Sequence, residues 1–296
     1  MKTVKTIALG AMWAALGAFM DPVATRALQP RLPAQASVRL YVFDCGTLEG
    51  DPARFNLKRE EMATTDMSVA CYLVVHPGGT LIWDTGAVPD GDVTSERQRA
   101  RHHIVLTNTD RYVTLERSLK SQLADAGYSP REITYLALSH FHYDHTANAN
   151  EFASATWLVR QVERDAMFAE KPPDLIRRAT FDALGNSKTL IIKTDDFDVF
   201  HDGSVVIKWA PGHTPGHQVL FVKLARTGSV LLSGDLYHYP EERTLDRVPT
   251  FDVDAVQTRR TRMRIDGFLK KSSAHLWIQH DFRANAALKK GPAFYD

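Results

Sequence analysis

Ser139-His140-Phe141-His142-Tyr143-Asp144-His145-Thr146-Ala147-Asn148 places three histidines and one aspartate within six residues, directly after the apolar run from Ile133 to Leu138. With Pro130 upstream, that run reads as a buried strand. Side chains alternate along extended chain, so His140 and His142 project together while Phe141 faces the other way. Two imidazoles leaving a strand end side by side can share one metal ion. A bend after them lets Asp144 and His145 reach a second. One histidine at such a place is ordinarily a hydrogen-bonded core or surface residue. Four donors in six positions bury badly unless they share a partner.

Four further short motifs stand around this stretch: Trp83-Asp84-Thr85-Gly86 after an apolar run, Pro211-Gly212-His213-Thr214-Pro215-Gly216-His217, Ser233-Gly234-Asp235, and Gln279-His280-Asp281. Taken in order with His-x-His-x-Asp-His, they resemble the metallo-β-lactamase superfamily from about Val38 to the C-terminus. The resemblance implies an α/β fold, the four-layer αβ/βα sandwich, with one or two metals. It assigns His140, His142 and His213 to a first ion and Asp144, His145 and His280 to a second. Asp235 bridges them, because a carboxylate has two oxygens to share. Asp84 lies behind the ligands and orients a histidine. His217 is left outside the set.

Length and composition agree with a folded protein. The chain has 296 residues, 44% of them hydrophobic, enough for a full core. With 36 basic and 35 acidic residues, the net charge of +1 offers no general attraction to nucleic acid. No G-x-x-x-x-G-K-[ST], H-E-x-x-H or G-x-S-x-G pattern occurs, so phosphate-loop, zincin and serine-elbow chemistry have no support. Lys2 and Lys5 followed by a short apolar run to Met20 read as a secretory signal, with cleavage near residue 27 or 36. The expectation is a leader over 1–36, a single metallo-hydrolase domain over 37–296, a periplasmic or secreted location, and no stable membrane insertion once the leader is removed. Cys45 and Cys71 adjoin apolar strands. Each is expected to act as a small buried hydrophobe, with a disulfide between them as the lesser alternative.

Strands are expected at 38–43, 70–75, 80–83, 155–159, 190–192, 197–200, 205–209, 219–224, 230–232 and 274–278. Helices are expected at 115–126, 161–169 and 254–271. Residues 46–66 and the basic segment 89–114, with Arg97, Arg99, Arg101, His102 and His103, read as polar loops.

Nitrogen and carboxylate ligands suit zinc, and cobalt, manganese or iron are also compatible with them. Two such ions would hold a bridging hydroxide at neutral pH, with Asp144 accepting and returning its proton. Within the superfamily, the stretches Val42-Phe43-Asp44-Cys45-Gly46, Cys71-Tyr72-Leu73-Val74-Val75-His76-Pro77 and Gly234-Asp235-Leu236-Tyr237-His238-Tyr239-Pro240 are similar to the N-acyl homoserine lactonase, or quorum-quenching, branch. That likeness implies hydrolysis of a small lactone carrying an acyl chain, and is compatible with a homodimer. Many such lactonases have a tyrosine three residues after the bridging aspartate; here that residue is His238. Tyr237 and His238 are therefore the candidate catalytic helpers. Phe55, Met67, Phe141, Met167 and Phe168 are candidates for a hydrophobic substrate groove. An exported phosphotriesterase of the same fold is the alternative activity. An iron-binding redox protein and a non-catalytic metal binder are the remaining classes.

Overall fold

In the computed structural model, residues 37–93, 98–106 and 109–296 are described. The expected leader lies outside them. Among the described residues, no helix is long and apolar enough to cross a membrane.

Two sheets form the body. The first contains β1 (Arg39–Glu49), β2 (Asp66–His76), β3 (Gly79–Trp83), β4 (Ala100–Val105), β5 (Asp110–Leu115), β6 (Tyr135–Ala137), β7 (Thr156–Val159) and β8 (Thr189–Ile191), in the order β4-β5-β1-β2-β3-β6-β7-β8. The second contains β9 (Asp196–Asp198), β10 (Val205–Trp209), β11 (Gln218–Leu224), β12 (Gly228–Leu232) and β13 (His275–Trp277), in the order β13-β12-β11-β10-β9. A final strand, β14 (Phe294–Tyr295), pairs with β1.

Alternation along the strands explains the layering. Leu40, Val42, Tyr72, Val74, Leu81 and Trp83 face the second sheet and pack with Val205, Ile207, Leu220, Val222, Val230 and Leu232. Their neighbours Tyr41, Phe43, Leu73 and Ile82 face outward, into a core shared with Leu119 and Leu123 of α1 (Leu119–Asp125) and Met167 of α3 (Gln161–Met167). A one-turn α2 (Tyr143–Thr146) precedes α3, and α4 (Pro240–Thr244) follows β12. The outward face of the second sheet, Val219, Phe221 and Leu231, packs on Ile265 and Leu269 of α5 (Ala255–Ser272). Helix, sheet, sheet, helix is the expected four-layer order. The small α6 (Phe282–Ala287) closes the chain before β14.

Two segments read as loops are ordered. The stretch 46–66 continues β1 to Glu49 and then makes two short 3-10 turns. The basic segment 89–114 contains the β4–β5 hairpin, attached to β1 through Thr47↔Thr114 and Leu48↔Val113. The hairpin hides few apolar side chains; only Ile104, Val113 and Leu115 in its strands are fully buried. Its sequence therefore carries more charge than periodicity. Cys45 and Cys71 are joined in a disulfide, with Cα atoms 6.0 Å apart. This corrects the expectation of two free hydrophobes. The bulge between Asp44 and Gly46 shifts the β1–β2 register and leaves Cys45 out of the pairing beside Cys71, a detail that spacing alone does not reveal.

The crosslink closes a loop of sequence separation 26. Replacing both cysteines by alanine is expected to cost about 3 to 4 kcal/mol of unfolding free energy by loop-closure entropy. Urea unfolding of the double variant measures it, and reductant should lower the native midpoint similarly. An unchanged midpoint would remove the crosslink from the stability argument.

Candidate metal centre

Every predicted ligand lies beyond the C-terminal end of a strand. β6 ends at Ala137 and delivers His140; His142 then caps α2, so the chain bends and turns Asp144 and His145 inward. β10 and β11 are joined by the Pro211–His217 turn that carries His213. β12 ends just before Asp235, and β13 just before His280.

The donors converge in two groups, His140, His142, His213 and Asp235, and Asp144, His145 and His280, all buried. His140 Nε2 is 2.8 Å from His142 Nδ1, and His213 Nε2 is 3.2 and 3.1 Å from those two atoms. Asp235 stands between the groups. Its Oδ2 is 3.5 Å from His140 Nε2 and 3.3 Å from His213 Nε2, while its Oδ1 is 3.1 Å from both His145 Nε2 and His280 Nε2. Asp144 Oδ2 completes the second group at 3.7 Å from His280 Nε2.

Three of the outer nitrogens are tied to groups that can only accept. His213 Nδ1 donates to Asp252 at 2.8 Å, His145 Nδ1 to Asp84 at 2.9 Å and His280 Nδ1 to the carbonyl of Ser68 at 2.7 Å. In the neutral rings this leaves lone pairs on the inner Nε2 atoms, facing one another and a carboxylate. Among the described residues, His145 Nε2, His280 Nε2 and Asp235 Oδ1 find no hydrogen-bond partner despite complete burial. Such acceptors fit cations placed between them, and the all-nitrogen and oxygen set fits two divalent ions. Burial, reinforced by neighbouring imidazoles, holds His140 and His142 well below the ordinary histidine pKa, in the form that ligates. Burial disfavours ionised Asp235, but the four histidines His145, His280, His140 and His238 outweigh it and keep its pKa well below the usual carboxylate range.

The surrounding supports connect distant loops. Asp84, at φ +57°, accepts from Ser139 N at 2.6 Å and Gln279 Nε2 at 2.9 Å as well as meeting His145. It thus joins the β3, β6 and β13 ends. Gly212, at φ +138°, lies so close to α5 that a Cβ would meet the Thr258 backbone at 2.5 Å. His217 is held away from ligation: Nδ1 meets the Ala210 carbonyl and Nε2 accepts from Asp235 N at 2.9 Å.

Three carboxylates were not anticipated. Asp252 orients His213. Glu163 accepts from Phe141 N at 2.9 Å, Thr214 Oγ1 at 2.9 Å and Gly216 N at 2.8 Å, fastening two ligand loops together. Burial lifts Glu163 to a pKa of about 7 although all three bonds oppose the rise. Glu242 receives His238 N at 3.2 Å and pairs with Arg262 at 2.7 Å. None has a diagnostic spacing. The only trace in the sequence is that Glu163 lies four residues before Met167 on the expected helix, on the same side as an apolar residue.

Above the donors lies a cavity of about 570 Å³. Phe55, Met67 and His238 line it with Asp144 and Asp235 at its base, but Phe141, Met167 and Phe168 do not. Phe141 and Met167 are core residues, and Phe168 packs edge-on to Trp157 and Phe181. Tyr237 is also corrected: its ring lies under the Arg262 guanidinium, 4.2 Å from it, against α5 rather than the cavity. His238 does face the centre, with Nε2 3.1 Å from Asp235 Oδ2 and Nδ1 3.2 Å from Glu242 Oε1.

A family model described as the metallo-β-lactamase superfamily matches residues 64–268. The N-acyl homoserine lactonase AttM of Rhizobium radiobacter is 28% identical over 265 residues, covering 87% of this chain and 98% of that one. An N-acyl homoserine lactonase of Bacillus thuringiensis is 26% identical over 262 residues, covering 86% and 98% respectively. Among solved structures, an N-acyl homoserine lactone hydrolase with N-hexanoyl-L-homoserine bound at its metal centre superposes with a TM-score of 0.69 at 23% identity, over 88% of this chain and all of that one.

Asp235 turns one carboxylate oxygen to each donor group, so Asp235→Ala is expected to lose both ions. Elemental analysis after exhaustive dialysis checks this; two retained equivalents would contradict the shared-ligand geometry. Asp252→Ala should weaken only the His213 group, by about 10- to 100-fold in metal affinity.

Proposed function

The chain belongs to the metallo-β-lactamase superfamily, and from that membership we propose that it is a dinuclear metal-dependent hydrolase opening the ring of N-acyl homoserine lactones or similar lactones. The observation that carries the proposal is the position of Asp235 between two buried donor groups at the base of one cavity. The lactonase names of the full-length relatives support the choice of substrate over a phosphotriester. Zinc is the proposed metal: the donors suit it, and a dizinc quorum-quenching lactonase superposes with a TM-score of 0.59.

His140, His142, His213, Asp144, His145, His280 and Asp235 would hold the ions. When bound, the ions supply Lewis acidity and lower the pKa of water. Asp144, at the cavity base, takes the proton of the attacking water and passes it to the leaving ring oxygen. His238 occupies the side of the base next to Asp235. Glu242 lies behind its ring, accepting from His238 N with Oε1 3.2 Å from Nδ1, while Nε2 faces Asp235 and the cavity, where it would meet a substrate oxygen. Phe55 and Phe251 pack on the His238 ring at centroid distances of 5.0 and 5.5 Å and keep that side apolar. We assign the protein to the periplasm or exterior, an assignment supported by the basic-apolar start of the sequence and by the disulfide.

Proton release on adding acyl-homoserine lactones of several chain lengths to the metal-loaded protein tests the activity. Chelator-sensitive opening is expected, and His238→Gln should lower kcat by about 100-fold or more with both ions retained. Phosphotriester turnover without lactone opening would move the substrate to phosphorus. Full activity in the variant would remove His238 from the mechanism.

A further inference from the structure

The cavity is not the hydrophobic groove that an alkyl tail alone would require. Arg54, Arg101 and Arg111 line it together with the apolar Phe55, Met67 and Phe251. Among the described residues, none of the three guanidinium groups has a carboxylate within 4.0 Å, whereas Arg117, Arg226, Arg243, Arg247, Arg259 and Arg262 all do. Arg54 and Arg111 are also partly buried. Partly buried arginines without counterions are unusual, because the charge loses water and gains nothing in return.

Both are held in place. The Arg54 guanidinium lies 4.7 Å from the centre of the Phe251 ring, which itself packs on His213 and His238 at 5.7 and 5.5 Å. Only one aromatic ring therefore separates Arg54 from the donor centre. Arg111 reaches in from β5, its Nη1 donating to Thr109 Oγ1 at 2.6 Å and the Asp110 carbonyl at 2.9 Å. Burial and then Arg111 lower the Arg54 pKa, so the two cations feel each other across the cavity; Tyr143, Asp51 and Asp174 act in the opposite sense. Among the described residues, no rim carboxylate comes within 4.0 Å of either guanidinium. Asp51 caps a 3-10 turn by accepting from Ala53 N, and Asp110 is 3.0 Å from His103; Glu49 is exposed at the end of β1.

We propose that Arg54 and Arg111 form an anion subsite, and that the preferred lactone carries a carboxylate, or a group of like charge, on the substituent that extends from the ring. This rests on the lactonase reading and narrows it. The reacting ring occupies the base beside Asp144 and His238, Phe251 and Phe55 cover the first atoms of the substituent, and its charged end meets the two guanidinium groups. A planar carboxylate matches the guanidinium fork, and such charge-assisted bonds are the strong ones.

The test compares N-succinyl homoserine lactone, whose side chain ends in a carboxylate, with its methyl ester, on the metal-loaded protein. The acid is expected to exceed the ester in kcat/KM by about tenfold or more at low salt, one charge-assisted contact being enough for that factor. Raising ionic strength should narrow the ratio, and Arg54→Gln with Arg111→Gln should collapse it to about one. Equal turnover of acid and ester, or a ratio surviving in the double variant, would overturn the subsite. If neither lactone opens although both ions are bound, the lactonase reading fails separately. The subsite is then decided by calorimetric titration with glutarate. Binding weakened about tenfold or more in the double variant upholds it, and unchanged binding overturns it.

Discussion

Lone pairs forced to face one another underlie the whole arrangement. Once Asp84, Asp252 and the Ser68 carbonyl take the outer protons of His145, His213 and His280, the inner nitrogens have nothing to donate toward Asp235. Water cannot relieve the conflict at His145 Nε2 or His280 Nε2, which are completely buried. Only added positive charge, as protons or as metal ions, makes the cluster stable. The outer carboxylates therefore choose the chemistry of the centre before any ligand arrives. A histidine cluster lacking them could hide its lone pairs by rotating or by changing tautomer.

Holding those atoms in place is the task of the two-sheet body. Strands from both sheets end at one rim, and apolar packing between them fixes the rim's dimensions. The ligand loops are then tied to each other rather than to solvent. Asp84 joins three strand ends, and Glu163 joins the loops of His140–His142 and His213 through backbone amides. A carboxylate buried this deeply is costly unless its hydrogen bonds are complete. Glu163 meets that condition with three donors.

The features legible in the sequence were those set by local periodicity or dense motifs. His140, His142, Asp144 and His145 read as ligands because four donors crowd a strand end. The strands at 205–209 and 219–224 read correctly because both faces of those segments are apolar enough to mark them. The β4–β5 hairpin did not, since its Arg and His side chains face the cavity and solvent and leave no alternating pattern. Cys45 and Cys71 depended on a bulge that exists only when β1 meets β2. Asp252 acts through a contact across the fold that carries no spacing in the chain, and Glu242, four residues after His238, gains its meaning only once its own partner Arg262 is brought in from α5. Met167 and Phe168 illustrate the reverse error, where apolar residues near a site serve the core instead.

The segment after Asp235 shows how a single position acquires its role. Tyr237 and Tyr239 both have extended backbone, at φ −144° and −121°. Side chains in extended chain alternate, so His238 must point away from both tyrosines. Tyr237 turns to Arg262 on α5, while Tyr239 donates its hydroxyl to the Thr65 carbonyl at 2.8 Å. Neither neighbour can substitute for the residue at 238 without shifting the register of the segment. Such a shift is blocked at one end by Asp235 and at the other by Pro240, which starts α4. That helix in turn brings Glu242 back beneath the imidazole, four residues on. A tyrosine at this position would have no use for the Glu242 carboxylate, which lies next to its backbone amide and behind the ring. The histidine does, and the Arg262–Glu242–His238 chain is therefore best understood as one unit built around the imidazole.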